Sequence, residues 1–194
     1  MLEISTVCGL GNPGPRYRNT RHNLGFMALD RVSKRHSLSW RRVSGPAQHA
    51  LWRVGGRDVA LVKPGLFMNE SGIALARYGS AGNAALLVVC DDLNLPLGQL
   101  RVRPGGGSGG HRGLESIIEQ LGTDDFPRLR LGIGGAPPNV DWVEFVLTEF
   151  SEAELNEIDC MLAAAVEAIE TAVREGLEEA MQRFNRPDGS RGSA

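Results

Sequence analysis

The chain has 194 residues, of which 42% are hydrophobic, a formal net charge of −2 and a mean hydropathy of −0.17. That is enough chain for one compact domain with a sizeable core, and no apolar run approaches the ~18 residues a membrane helix needs. The three cysteines, Cys8, Cys90 and Cys160, are odd in number and far apart, which argues against a disulfide framework and for a reducing cytoplasm.

The N-terminus lacks a basic segment followed by a long apolar one, so residues 3–9 (EISTVCG), alternating and β-branched, predict a first strand rather than a signal peptide. The loop GLGNPGPRYRNTRHN follows, and then LGFMALDRVSKRH, helical, with Leu24, Ala28 and Val32 on one face. Residues 48–54 and 58–63 flank Gly55-Gly56 and predict a hairpin. LFMNESGIALARYG reads as a loop entering a helix, and the apolar run of residues 85–90 (ALLVVC) as a buried central strand. LRVR and RLRLGIG are further strands, with the helix ESIIEQL between them. Ser151 and Glu154 form an S-x-x-E capping box for a long helix that breaks near Gly176 and is followed by a shorter helical piece, LEEAMQRFN. Strands alternating with helices predict a single α/β domain over residues 1–184, with a mixed, twisted β-sheet and helices packed around it, and a disordered tail over 185–194.

The charge is unevenly spread. Residues 1–150 carry 17 Lys+Arg against 13 Asp+Glu, and residues 151–184 carry 2 against 9. Between Arg16 and Arg42 eight basic residues face one acid, Asp30, which is either a solvated helix face or a surface for a polyanion.

Residues 105–114 (GGGSGGHRGL) contain G-x-G-x-x-G between a strand and a helix. The dinucleotide-binding fingerprint also needs an acidic residue at the end of the next strand, about 20 positions on. Here that strand ends in glycine, and after Gly105 and Gly110 the chain has His111-Arg112 in place of the Lys-Ser/Thr of a phosphate loop. What remains is a glycine-rich loop leading to a helix N-terminus whose backbone N–H groups suit an anion.

The first loop gathers Asn12, Tyr17, Thr20, Arg21, His22 and Asn23. His22 is a candidate general base if a carboxylate orients it, and Asp91, leaving the apolar strand where open α/β sheets place their sites, is the candidate partner. Cys90 next to it points to the opposite face of the strand and reads as packing. No G-x-S-x-G elbow supports a serine triad, and no Cys or His pair has metal-ligand spacing. Phe67 and Asn69 suit stacking on a ring with an amide to orient it.

Three blocks carry a resemblance: GLGNPGPRYRNTRHNLGF (residues 9–26), KPGLFMNESG (63–72) and DDLNLPLGQLRVRPGGGSGGHRGLESI (91–117). They resemble the signatures of the bacterial-type peptidyl-tRNA hydrolase family, over about residues 4–184. The resemblance implies a monomeric α/β enzyme that cleaves the ester between a peptide and the 3′ ribose of tRNA, recycling tRNA in the cytoplasm without metal or cofactor. It implies His22 as the base that activates water and Asp91 as the residue that orients His22 and favours its protonated form during turnover. Asn12 would contact the peptide's first amide, and Asn69 would hold the substrate and polarise the ester. Tyr17 and Phe67 would line the site near the tRNA 3′ end. Arg112 stands where the family usually has an asparagine that positions water; donor-only and charged, it suits a tRNA phosphate or the 3′ end instead. Leu66 and Asn94 also depart from the usual Thr and Asp. On this reading the Arg16–Arg42 region serves tRNA phosphates. The alternatives are a non-catalytic RNA-binding relative of the family and a dinucleotide enzyme.

Overall fold

The protein, described here as a computed structural model, is defined over residues 3–43, 45–79 and 85–185. Strand β1 (Thr6–Gly9) leads through two 3-10 turns, Pro15–Tyr17 and Arg21–Asn23, into helix α1 (Leu24–Arg35). Strands β2 (Arg41–Arg42), β3 (Ala47–Val54) and β4 (Arg57–Pro64) follow, and a 3-10 turn, Met68–Glu70, opens α2 (Ser71–Tyr78). Then come β5 (Leu86–Asp92), β6 (Leu100–Arg103), α3 (Arg112–Leu121), β7 (Arg128–Gly132), α4 (Trp142–Val146), α5 (Glu152–Arg174) and α6 (Leu177–Phe184).

The seven strands form one mixed sheet of order β2-β3-β4-β1-β5-β7-β6, so the single α/β domain with helices around a mixed sheet is what the chain folds into. β4, β1, β5 and β7 are mutually parallel, while the β3–β4 hairpin, β2 and β6 run antiparallel to their neighbours. LRVR lies only eight residues beyond β5 because it makes no crossover back to that strand. It pairs antiparallel with the outer edge of β7, and β7 itself takes the place beside β5.

Every residue of β5 is buried. Leu87 and Val89 face the core beneath α1 and α5, whereas Leu86, Val88 and Cys90 face the core beneath α2 and α3. The alternation thus carries past Cys90 and delivers Asp91 to the α1 side at the end of the strand. Two glycines let α1 start directly on that end. A Cβ on Gly9 would lie 2.4 Å from Gly25 O, and one on Gly25 would lie 2.4 Å from both Leu10 N and Val89 O. That close approach is why G-L-G-N and N-L-G-F bracket the first loop, and it places His22, three residues before Gly25, over β5.

The charge asymmetry is resolved in part within the fold. Arg21, Arg31 and Arg35 pair with Glu154, Asp159 and Glu170 of α5, and His36 also meets Glu170. The basic front and the acidic back of the sequence therefore meet where α1 packs on α5. Three of the eight basic residues between Arg16 and Arg42 are committed to that contact rather than held free for a polyanion.

Both arms of the Ser151–Glu154 capping box form, and α5 stops at Arg174, ahead of Gly176. The sequence pattern predicts no element between the strand at 128–134 and Ser151. The short helix α4 lies there, capped by Asp141, which accepts from Val143 N and Glu144 N. At the start of the expected tail, the Asn185 side chain accepts from Val102 N (2.7 Å) and donates to Val102 O (2.9 Å). It thereby covers some of the free edge of β6. Residues 186–194 lie outside the described residues.

Candidate active site

Asp91, His22 and His111 converge at the C-terminal end of β5. His22 Nδ1 lies 2.9 and 3.0 Å from the two Asp91 carboxylate oxygens, and His111 Nε2 lies 3.0 Å from Oδ1. The two imidazole rings are 4.9 Å apart. Burial pushes the Asp91 carboxyl up, but the two imidazoles, by charge and by hydrogen bond, outweigh it and hold it well below the usual carboxylate range. Asp91 is thus an anion that can only accept, so His22 presents Nδ1–H to it and, when neutral, keeps a lone pair on Nε2. Cys90 does not join this group: it is packed in the opposite core, where burial pushes its thiol far up.

His111 belongs to the site, although in the sequence it serves only to exclude a phosphate loop. It is the N-cap of α3, and its Nδ1 accepts from Gly113 N (3.1 Å) and Leu114 N (3.3 Å). That network assigns its tautomer: with Nδ1 accepting, Nε2 carries the proton and donates to Asp91. The same bonds consume the backbone N–H groups that an anion at this helix N-terminus would use. They also bear on the metal question. The ligand atoms of His22, Asp91 and His111 all lie within 4.8 Å of one another. Both histidines, however, turn N–H groups rather than lone pairs toward the carboxylate, so the donor set suits a hydrogen-bonded triad rather than a cation. A histidine directly before a helical pattern was the available signal. Histidine is an uncommon cap, and nothing local says that the capped ring also reaches Asp91.

Asn12, Tyr17, Phe67 and Asn69 form a second group, built on the 3-10 turn that precedes α2. Asn12 is buried; its Oδ1 accepts from Met68 N (2.8 Å), which leaves its Nδ2 as a donor without a partner among the described residues. Asn23, next to His22, holds Asn12 in place by accepting from its N (2.8 Å) and donating to its O (3.0 Å). Phe67 is 49% exposed and meets Tyr17 edge to face, with centroids 6.2 Å apart, while Asn69 is exposed beside them. No hydrogen bond joins this group to His22 among the described residues. The two groups abut because Gly113 of α3 sits against Met68: a Cβ there would lie 2.5 Å from Met68 Sδ.

The turn that carries His22 is clamped from behind. Arg21 is buried between the rings of Phe145 and Phe150 (4.4 and 4.6 Å), and its guanidinium makes a two-pronged pair with Glu154 (2.8 and 2.9 Å). The bond from Arg21, with those from Ser151, holds the Glu154 carboxyl at about 2. Glu154→Ala removes both the partner of a buried guanidinium and one arm of the capping box, and should cost about 2 kcal/mol of stability. Because the folded-state value is depressed, the Glu154 contribution is complete above the unfolded carboxyl range, about 4.3, and is lost as pH falls through about 2. Urea unfolding should therefore show a gap between wild type and Glu154→Gln at pH 7 that closes between roughly pH 4.5 and 2. A gap that stays constant over that range would refute the assignment.

The glycine loop forms the rim of the site. A cavity of about 370 Å³ has His22, Asp91 and His111 in its lining, with Leu93, Leu114, Val146 and Trp142 as apolar walls. A second cavity of about 390 Å³ runs under the loop, lined by Arg103, Arg128 and Arg130. The two share Ser108, Leu114 and Arg130. Arg128 is buried and ties the loop down by donating to Gly107 O (2.9 Å) and Asp124 O (3.0 Å). Arg112, exposed at the first turn of α3, has its guanidinium 5.9 Å from the Trp142 ring.

Fold and site together define a single-domain α/β protein with a histidine held by a carboxylate at the C-terminal end of β5. Residues 6–191 match the peptidyl-tRNA hydrolase family model. The chain is 46% identical to the peptidyl-tRNA hydrolase of Pseudothermotoga lettingae, covering 94% of this chain and 97% of that relative. It is 47% identical to that of Desulforudis audaxviator, covering 94% and 93%. The crystal structure of peptidyl-tRNA hydrolase from Acinetobacter baumannii superposes with a TM-score of 0.88 at 30% identity, covering 95% of this chain and 96% of that one. The chain belongs to the peptidyl-tRNA hydrolase family. No helix among the described residues is long and apolar enough to cross a membrane.

Proposed function

We propose that this chain hydrolyses the ester linking a peptide to the 3′ ribose of tRNA, releasing both, with His22 as the base. The observation that carries this reading is the His22–Asp91 pair, which leaves Nε2 of His22 as a lone pair in a cavity, within a chain of this family. His22 Nε2 takes a proton from water as the oxygen adds to the ester carbonyl carbon. The tetrahedral intermediate then collapses by expelling the ribose 3′ oxygen, which receives that proton from the imidazolium. Asp91 holds the ring in the productive tautomer and stabilises its positive charge in between. Asn12 Nδ2 and the Asn69 amide supply donors to the first peptide amide and to the ester oxygen. Tyr17 and Phe67 flank the point where the peptide meets the 3′ ribose, and Arg112 contacts the tRNA end.

The site is assembled from one chain, which supports action as a monomer, and all three cysteines are free thiols, which suits the cytoplasm. Purified protein should release peptide from a peptidyl-tRNA and spare a free aminoacyl-tRNA. A protein that binds tRNA without turnover would instead be the non-catalytic relative, a reading against which the intact His22–Asp91 pair stands.

For the tRNA backbone we propose the β6–β7 edge. Across this ladder Arg101 faces Arg130 and Arg103 faces Arg128; Arg130 is paired with Asp92 (2.5 Å) and Arg128 with the Gly107 and Asp124 carbonyls, which leaves Arg101 and Arg103 without a carboxylate partner among the described residues and suited to an anion. Arg103 is exposed and lines the cavity under the glycine loop. Arg103→Ala should raise KM several-fold and flatten the log–log dependence of kcat/KM on salt by about 0.7–0.9. An unchanged slope would place the phosphates elsewhere.

A further inference from the structure

Arg112 and Trp142 have no role in the hydrolytic step, yet Trp142 lines its cavity and Arg112 lies against Trp142. Trp142 is 43% exposed, one of the few large apolar side chains left open, and it forms a wall of the cavity that holds His22, Asp91 and His111. Arg112 is exposed, has no carboxylate partner among the described residues, and meets the indole at 5.9 Å. Each sits at the first position of a helix whose cap, His111 or Asp141, fixes the backbone beneath it, so the two side chains face each other from rigid supports.

The position of the pair indicates which end of the substrate reaches it. The cavity continues through Ser108, Leu114 and Arg130 into the arginine-lined cleft under the glycine loop, which is the side suited to phosphates. The amide donors Asn12 and Asn69 belong to the other group, around the turn before α2. An ester held at His22 therefore directs its nucleotide end toward Trp142 and its peptide end toward Asn12. A base stacked on both sides needs two contacts of about 3.5 Å. The Arg112 guanidinium carbon lies 5.9 Å from the indole centroid, so the exposed Arg112 side chain has to swing outward to admit a base.

We propose that Arg112 and Trp142 receive the 3′-terminal nucleobase of the tRNA, stacked between guanidinium and indole. This rests on the hydrolase reading above and adds the residues that select the nucleotide end. It also gives Arg112 a role that asparagine at that position does not provide: a planar cation that covers a π face.

The test uses the trinucleotide CCA and the intact protein. Trp52 is buried and Trp40 half-buried, so Trp142 is the exposed indole. CCA should quench tryptophan emission, and the quench should disappear in Trp142→Phe. The Kd for CCA should rise about tenfold in Trp142→Ala and several-fold in Arg112→Ala. For peptidyl-tRNA turnover the loss should fall on KM more than on kcat, with Trp142→Phe retaining most of the affinity. CCA binding that is equal in wild type and Trp142→Ala would overturn the proposal, as would a loss confined to Phe67→Ala. Wild-type turnover is measured alongside: an active wild type with an indifferent Trp142→Ala sinks this proposal alone. An inactive wild type whose Trp142 is still quenched by CCA sinks the hydrolase reading and leaves the base site standing.

Discussion

His22→Ala should lower kcat for peptidyl-tRNA by about 10²–10⁴-fold, while KM and the unfolding midpoint should stay near wild type. The size is that of a lost general base. The fall is confined to kcat because the groups proposed to bind tRNA, on the β6–β7 edge and at Arg112 and Trp142, remain in place. The fold survives because the substitution does not orphan Asp91: the buried carboxylate keeps its 3.0 Å bond from His111, so no unpaired charge is left. Steady-state kinetics with circular dichroism and tRNA binding on the same preparation check all three expectations. A variant that turns over normally would remove His22 from the mechanism. One that is unfolded or no longer binds tRNA would leave the loss uninterpretable as chemistry and contradict the expected division.

Asp91→Asn should be comparably severe, with kcat reduced by about 10³–10⁴-fold, for a reason that the second histidine sharpens. Asp91 accepts from two N–H donors, His22 Nδ1 and His111 Nε2. An asparagine keeps one oxygen, which both rings reach at the Oδ1 position, but puts an NH₂ in place of Oδ2, 3.0 Å from His22 Nδ1, and that donor favours a ring that turns a lone pair toward it. His111 is not free to do so, because its Nδ1 is held by two backbone N–H groups. His22 is the ring that yields. It moves its proton to Nε2, the nitrogen that has to accept from water, and the base is lost although every atom of the ring is still present. Nitrogen NMR of the imidazoles reads this directly: His22 protonated on Nδ1 in wild type and on Nε2 in Asp91→Asn, with His111 unchanged in both. Retention of the Nδ1 tautomer, or of full activity, would show that Asp91 does not set the ring.

The sequence is most informative where one physical signal decides one local outcome. The Gly55-Gly56 hairpin, the S-x-x-E cap of α5 and the break before Gly176 follow from backbone chemistry that acts within a few residues. The apolar run before Asp91 marks a buried strand, and the period of two assigns Cys90 and Asp91 to opposite faces. Helix α4 is not legible there because its five residues are too short to show periodicity. The basic stretch between Arg16 and Arg42 reads as a polyanion surface because its acidic partners lie more than a hundred residues away on α5.

By itself, then, the sequence determined the α/β class, the strand that carries Asp91 and the polar loop that carries His22, all through short-range rules. Only the tertiary structure decided that His111 joins them, that Asn23 and Arg21 brace the first loop, and that Arg112 meets Trp142 of the cavity wall. Each of those contacts joins residues well separated in the chain, from 11 positions for Asn12–Asn23 to 133 for Arg21–Glu154. What sets them is the order of strands in the sheet and the close seating of α1 on β1 and β5 and of α3 against Met68, and neither is written in the local pattern of side chains.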